Sequence, residues 1–143
     1  MTGDYMDAKQ FLRQIRKLDQ EINSKLEEVE RLRSLAEKMT STLSHDNVSH
    51  SGCGDRISEV VAKIVDLDRE ITCSVDRMID LKDKALKLIN QLDEPNHRLV
   101  LIMRYINGYT WEQIAVKMGY VFQWVHVLHG RALQEFDKLY RSL

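Results

Sequence analysis

The sequence has one proline, Pro95, two cysteines and no long run of apolar residues. Without an apolar stretch of roughly 20 residues, a membrane-spanning helix is not expected. The segment from Met1 to Phe11 also lacks the basic residues and apolar stretch of a secretory signal, so we expect a cytoplasmic protein with no membrane partner. With 43% hydrophobic and 30% charged residues, the composition is typical of a folded, helix-rich chain.

Motifs of enzyme active sites are also missing. There is no glycine-rich phosphate loop, serine-nucleophile motif or metal-hydrolase motif, so we expect neither an enzyme nor a cofactor. Cys53 and Cys73 form no recognisable disulfide framework. His45, His50 and Cys53 are of the types that bind zinc, but their spacing matches no standard zinc pattern, and we predict no metal site.

Two long amphipathic helices are predicted before residue 92. In the first helix, apolar residues recur in two series with heptad spacing, with Lys25 interrupting the second series: Ile15, Ile22, Val29, Ala36 and Leu43, and Phe11, Leu18, Leu32 and Met39. A similar series follows in the second helix: Ile57, Ile64, Ile71, Met78 and Ala85. This spacing is typical of coiled coils, in which each helix buries one apolar stripe.

The polar segment 44–55 separates the two patterns and is predicted to be a loop, with Asp55 capping the second helix. Residues 7–91 are therefore expected to form an antiparallel helical hairpin. A two-helix hairpin buries little area, so we expect it to pair with a second copy, as a homodimer, or with a partner protein. The alternative is a continuous three- or four-helix bundle in which these apolar stripes pack on the C-terminal helices.

The remaining residues, 92–143, are predicted to form three helices. Asp93 and Glu94 precede Pro95, an arrangement that favours a helix start. The apolar positions of that helix are Leu99, Ile102, Met103 and Ile106, and Asn107-Gly108 ends it.

The second of these helices is short and the third is long. Thr110 and Gln113 have capping-box spacing at the start of the second helix, and Gly119 stops it. The third begins near Val121 or Phe122, with an inward face made of Val121, Val125, Leu128 and Ala132. A short helix, a glycine-containing turn and a longer helix form the helix-turn-helix pattern. The predicted fold class is all-α: a long antiparallel helical hairpin followed by a three-helix helix-turn-helix domain.

The run PNHRLVLIMRYINGYTWEQIAVKMGY at residues 95–120, together with residues 124–126 and 128–133, resembles region 4 of sigma factors. It is most similar to a family of short phage and prophage proteins of Gram-positive bacteria, described as sigma-like transcriptional regulators. The resemblance covers about residues 92–139. It implies sequence-specific contact of the third helix with double-stranded DNA, contact with host RNA polymerase, and a location in the bacterial host cell.

The resemblance makes the N-terminal half of the third helix the part that contacts base pairs. A projection at about 100° per residue turns Gln123, Val127 and Gly130 outward and places His126 and Arg131 on the flanks. The Gln123 amide is suited to a bidentate contact with adenine. The predicted DNA-contacting residues are Gln123, His126, Val127, Gly130, Arg131 and Phe122.

One departure from the sigma pattern concerns charge. No formally charged residue occurs from Val121 to Gly130, and residues 92–143 carry six Lys or Arg against five Asp or Glu. Because neutralised phosphates supply most non-specific affinity, we expect weak binding by a monomer, which dimerisation or delivery by polymerase would offset.

Two alternatives remain open at this stage. Exposed Phe122, Trp124 and Val127 also fit a protein-docking surface. The second functional class is a phage DNA-packaging protein of the small-terminase type, or an assembly adaptor, that oligomerises through the hairpin. The size of the oligomer distinguishes that class from a regulator.

Overall fold

The computed structural model describes residues 7–45 and 51–143, and within them it contains helices and short turns but no strand. The helices are α1 (Ala8–His45), α2 (Ser51–Ile89), α3 (Pro95–Leu101), α4 (Trp111–Met118) and α5 (Phe122–Arg141). A π-helical turn, Ile102–Ile106, continues α3 directly. The all-α fold class is thus confirmed. In the described part of the chain, no helix has the apolar length that crossing a membrane requires.

The connection between α1 and α2 is shorter than the predicted loop 44–55. The first helix continues to His45 and the second begins at Ser51, so Asp55 lies inside α2 and the prediction that it caps the helix was wrong. The predicted loop was too long because the end of an apolar stripe marks where a helix stops packing on its neighbour, and the helix itself can extend further. Helical backbone hydrogen bonds continue through polar residues at small cost. Predicted loop residues 46–50 lie outside the described residues.

Residues 20–45 and 51–77 form one compact unit, which contains the C-terminal part of α1 and most of α2. Ile22, Val29 and Leu32 of α1 are buried, as the heptad spacing predicted, and so is Val60 of α2. Apolar burial along these stripes is the main favourable contribution to the stability of this unit.

Two ion pairs between α1 and α2 show the direction of the helices in this unit. Lys25 Nζ lies 3.5 Å from Glu70 Oε2, and Arg33 Nη2 lies 3.6 Å from Asp68 Oδ2. A later residue of α1 is thus opposite an earlier residue of α2, which is the relation expected of an antiparallel hairpin. Lys25 is partly exposed and the other three side chains are at least half exposed, so these pairs add little stability.

A second compact unit combines residues 7–19 with Met78–Leu143. Its helices share one continuous apolar core, made of Ala8, Phe11, Leu12, Ile15, Ala85, Leu88, Ile89, Leu92, Val100, Leu101, Tyr105, Ile114, Val125, Ala132 and Phe136. The first turns of α1 and the last turns of α2 therefore pack with α3, α4 and α5. Within this unit, the arrangement is that of the bundle alternative, in which the apolar stripes meet the C-terminal helices.

The starts and ends of the C-terminal helices agree with the sequence signals. The Glu94 carboxylate accepts a hydrogen bond from the Asn96 N–H at 3.5 Å, with Pro95 at the first helical position. Gln113 N–H donates to the Thr110 hydroxyl at 3.2 Å, while Thr110 N–H donates to the Gln113 side chain at 2.9 Å. The predicted capping box at the start of α4 is thereby confirmed.

The predicted apolar face of α3 and the turn after it is partly correct, because Ile102, Met103 and Ile106 pack against the core. Val100, Leu101 and Tyr105 are buried, whereas Leu99, predicted to lie on the apolar face, is exposed. The cause is the uninterrupted apolar run 99–103, whose residues carry no information about which face is buried. The π-helical turn after Leu101 also rotates the following residues away from the phase of a regular α-helix.

Candidate nucleic-acid interface

The turn between α4 and α5 consists of residues 119–121 and is held by backbone hydrogen bonds. Gly119 has φ 71°, a left-handed conformation that favours glycine. Its N–H donates to the Val116 carbonyl at 3.3 Å, and Tyr120 N–H donates to the Ala115 carbonyl at 3.0 Å. These contacts satisfy the last carbonyls of α4 and set the point from which the chain enters α5.

The inward face of α5 is made of Val125, Leu128, Ala132 and Phe136, all of which are buried. The first three were predicted from helical spacing and are confirmed. Val121 is 68% exposed, so its predicted inward position was wrong. Val121 precedes the helix in an extended conformation, as its N-cap, and a projection based on helical geometry does not apply there.

The structure brings all six predicted DNA-contacting residues to the exposed surface of α5. They are Phe122, Gln123, His126, Val127, Gly130 and Arg131. A Cβ atom built on Gly130 would meet no atom within 4 Å, so open space surrounds the backbone at this position. A ligand can therefore approach the α5 backbone closely there.

The His126 ring is held between two aromatic side chains. Its centroid is 4.7 Å from that of Trp111 and 4.6 Å from that of Phe122. The Trp111 ring also lies 4.0 Å from the Arg104 guanidinium carbon. Trp111, the first residue of α4, therefore links the exposed face of α5 to the π-helical turn.

Arg131 lies on the other flank of the α5 surface, towards α3. Its guanidinium carbon is 5.3 Å from the centroid of the Trp124 ring. Both residues line a cavity of about 350 Å³ whose other walls are Glu94, Asn96, His97, Tyr120, Leu128 and Glu135. His97 Nδ1 lies 3.1 Å from Glu135 Oε1 and forms an ion pair when the imidazole is protonated.

A buried tyrosine–histidine pair lies behind the exposed face of α5, and sequence reasoning did not identify it. The Tyr105 hydroxyl is 2.8 Å from His129 Nε2. Burial lowers the pKa of His129 to about 4, and the positive charge of Arg104 contributes in the same direction. The imidazole is therefore neutral at pH 7 and shares a hydrogen bond with the Tyr105 hydroxyl, whose pKa burial raises. Only the helical projection, which places His129 beside Val125, offered a signal for this pair.

Two arginines converge on the turn between the π-helical segment and α4. Arg16 Nη1 lies 3.4 Å from the carbonyl oxygens of both Arg104 and Tyr109. Arg104 Nη1 donates to the same Tyr109 carbonyl at 3.2 Å. Burial and the neighbouring Arg16 charge lower the pKa of Arg104. The turn that precedes α4 is thus surrounded by positive charge, part of which comes from α1.

Gly108 explains why this turn is so closely packed. It has φ 75°, and a Cβ atom built on it would lie 3.0 Å from Asp19 Oδ2. A side chain at this position would require both a strained backbone and a displaced carboxylate. Glycine therefore allows α1 to approach the turn closely.

In the described part of the chain, no cluster of three or more potential metal ligands occurs. The segment of His45, His50 and Cys53 lies outside the residues whose side chains are described. The candidate interface is therefore the exposed face of α5 together with the arginine-rich turn before α4. Comparisons with known protein families, with curated proteins and with solved structures gave no match.

Proposed function

We propose that this chain is a sequence-specific DNA-binding transcriptional regulator of the phage type that resembles sigma region 4. In this proposal the first turns of α5 enter the major groove. The observation that carries it is the division of α5 into two faces, with Gln123, His126 and Val127 exposed above buried Val125 and Leu128. An α-helix of about 10–12 Å diameter fits the major groove of B-DNA, which is about 12 Å wide.

Each exposed side chain has a chemistry suited to base edges. The Gln123 amide presents a donor and an acceptor, the combination that pairs with N7 and the amino group of adenine. Val127 offers methyl groups for contact with a thymine methyl. His126 is oriented by Trp111 and Phe122, so its placement requires little ordering when DNA binds.

The first prediction concerns Gln123. Replacing it with alanine should relax the preference at one base pair by about 1–3 kcal/mol, because the amide is the only group at this position that distinguishes adenine. Gln134 is the matched control, since it is also an exposed glutamine of α5 but lies three turns later. Binding to every single-base-pair variant of the preferred duplex measures both effects. An unchanged profile for Gln123→Ala, or equal losses for the two variants, would count against groove reading by α5.

We further propose that two copies of the chain form a dimer through the unit that contains most of α2. Support comes from the apolar residues of α2: Ile57, Ile64 and Ile71 are only partly buried, and neighbouring Val61 and Val65 are exposed. Pairing would remove these apolar side chains from water and would provide two reading helices for one DNA site.

Light scattering tests the pairing. A dimer is expected for the full chain, and a double substitution Val61→Ser with Val65→Ser should shift the equilibrium towards monomer. A wild-type monomer at high concentration would contradict pairing through α2. A ring of many copies would instead support a DNA-packaging protein.

A second candidate function is protein docking at the start of α5. Val116 is 82% exposed and Val121 68%, and Phe122 and Trp124 lie nearby with partly exposed rings. An apolar surface of this kind is suited to a protein partner such as RNA polymerase. Under this candidate the Gln123 substitution leaves the DNA profile unchanged, so the same measurement separates the two functions.

A further inference from the structure

The proposed reading helix has no formal charge in its first turns, so the attraction to DNA phosphates must come from elsewhere. Three basic residues of α1, Lys9, Arg13 and Arg16, occur at i, i+4 and i+7 and therefore lie along one stripe of the helix. We call these three residues the α1 stripe. Lys9 and Arg13 are exposed, and Arg16 is partly buried.

The α1 stripe belongs to the same compact unit as α5. On the adjoining face of α1, Phe11, Leu12 and Ile15 are buried in the core that also contains Val125 and Phe136. The stripe is therefore attached to the C-terminal helices by packing and does not depend on a flexible connection.

Direct contacts connect the stripe to the exposed face of α5. Arg16 reaches the Tyr109 carbonyl that also accepts from Arg104. The Arg104 guanidinium lies over the Trp111 ring, and that ring is in contact with His126. Lys117 Nζ is 4.8 Å from the centroid of the Tyr109 ring and adds a further positive charge beside the same turn.

The positive charge of this surface is not neutralised by ion pairs within the described chain. Among the described residues, no carboxylate oxygen lies within 4.0 Å of a side-chain nitrogen of Lys9, Arg13, Arg16 or Arg104. Asp7 is engaged in capping the Gln10 N–H at 2.7 Å, Asp19 lies beside Gly108, and Glu112 is at the start of α4. The positive charges of Lys9, Arg13 and Arg104 all contribute to the lowered pKa of His129 on α5, so these three residues lie close enough to act on that helix.

We propose that the α1 stripe, together with Arg104, binds backbone phosphates of DNA next to the base pairs that α5 contacts. This inference rests on the proposed function and adds a partner surface to it: α1 supplies the electrostatic affinity and α5 supplies the sequence preference. It also resolves the near-neutral charge of residues 92–143, because the DNA-binding surface is not confined to them.

Salt dependence of DNA binding tests this inference with the full chain. The probe is a short fluorescein-labelled duplex of mixed sequence, titrated at several salt concentrations. The logarithm of the association constant falls linearly with the logarithm of the salt concentration. Each lost phosphate contact should make this slope less steep by about 0.9, which corresponds to about 8-fold weaker binding near 0.1 M salt. For the double variant Lys9→Gln with Arg13→Gln, which removes two contacts, the slope should therefore be less steep by about 2.

The control is Lys38→Gln with Lys63→Gln, which removes the same charge from exposed positions in the other compact unit. It should leave the slope close to that of the wild type. The variant Lys9→Arg with Arg13→Lys keeps the charge and should also keep the slope, which separates loss of charge from a change in folding.

The outcomes distinguish this inference from the proposed function. If the wild type binds DNA but the Lys9 and Arg13 double variant keeps the wild-type slope, the phosphate role of α1 is wrong while groove reading by α5 stands. If equal losses occur in the Lys38 and Lys63 control, the effect is one of net charge and the inference is also wrong. If the wild type binds no duplex even at low salt, both proposals fail.

Discussion

We expect Leu12→Ala to lower the free energy of unfolding by about 3 kcal/mol, within the range for large-to-small changes in well-packed cores. Leu12 is fully buried in the core shared by α1, the end of α2 and the C-terminal helices. Removing its side chain leaves a cavity against this core and loses transfer free energy. Urea unfolding measures the change, and hydrogen exchange of the α5 amides shows whether the loss reaches the proposed reading helix.

Leu26→Ala is the matched control, because Leu26 lies in the same helix but is 48% exposed. Its replacement should cost less than about 1 kcal/mol, since little apolar area returns to water. If Leu12→Ala is no more damaging than Leu26→Ala, or if the α5 amides exchange as in the wild type, then α1 is not an integral part of the unit that carries α5.

Acidification is the second change for which we expect a large effect. The pKa of His129 is lowered to about 4 in the folded chain, against an ordinary value of 6.5. Between these two values the unfolded chain binds more protons, so stability is full above about pH 6.5 and is lost as pH falls towards 4. Protonation of His129 alone should lower the free energy of unfolding by about 2 kcal/mol between pH 7 and pH 5.

His129→Gln isolates this contribution. Glutamine does not titrate, so the variant should be less stable than the wild type at pH 7 but should lose about 2 kcal/mol less on going to pH 5. Urea unfolding at the two pH values provides the comparison. If the free energies of unfolding of the wild type and the variant fall equally between the two pH values, His129 is not the group responsible. NMR titration of the His129 ring gives an independent check, with no protonation expected near pH 6.

Local structure was largely predictable because its causes are local. The capping box of Thr110 and Gln113, the glycine stops at Gly108 and Gly119 and the start at Pro95 each depend on residues within a few positions. The heptad stripe of α1 was also predictable, since apolar spacing decides which face of a helix is buried.

Tertiary partners were less predictable, because an apolar stripe shows which face is buried but not against what. Phe11 and Ile15 were assigned to the hairpin, yet they pack in the core that contains Phe136. In the same way, five consecutive apolar residues, 99–103, left the buried face of α3 undetermined.

The candidate site was predictable in its exposed residues but not in its electrostatics. Gln123, Val127 and Gly130 are exposed where the helical projection placed them. The arginine-rich turn depends on contact between Arg16 and Tyr109, which are 93 residues apart, and no local pattern predicts such a contact. Charge counted over residues 92–143 alone therefore underestimated the positive surface beside α5.

Selection of bound duplexes from a random-sequence pool tests the claim that α5 recognises a specific DNA sequence. The full chain is used at a stated salt concentration, with and without bacterial RNA polymerase, and the selection is repeated with Gln123→Ala. We predict enrichment of one short motif by the wild type, with one base pair of that motif losing its preference in the variant. Recovered duplexes that remain random in both the presence and the absence of polymerase would contradict the claim.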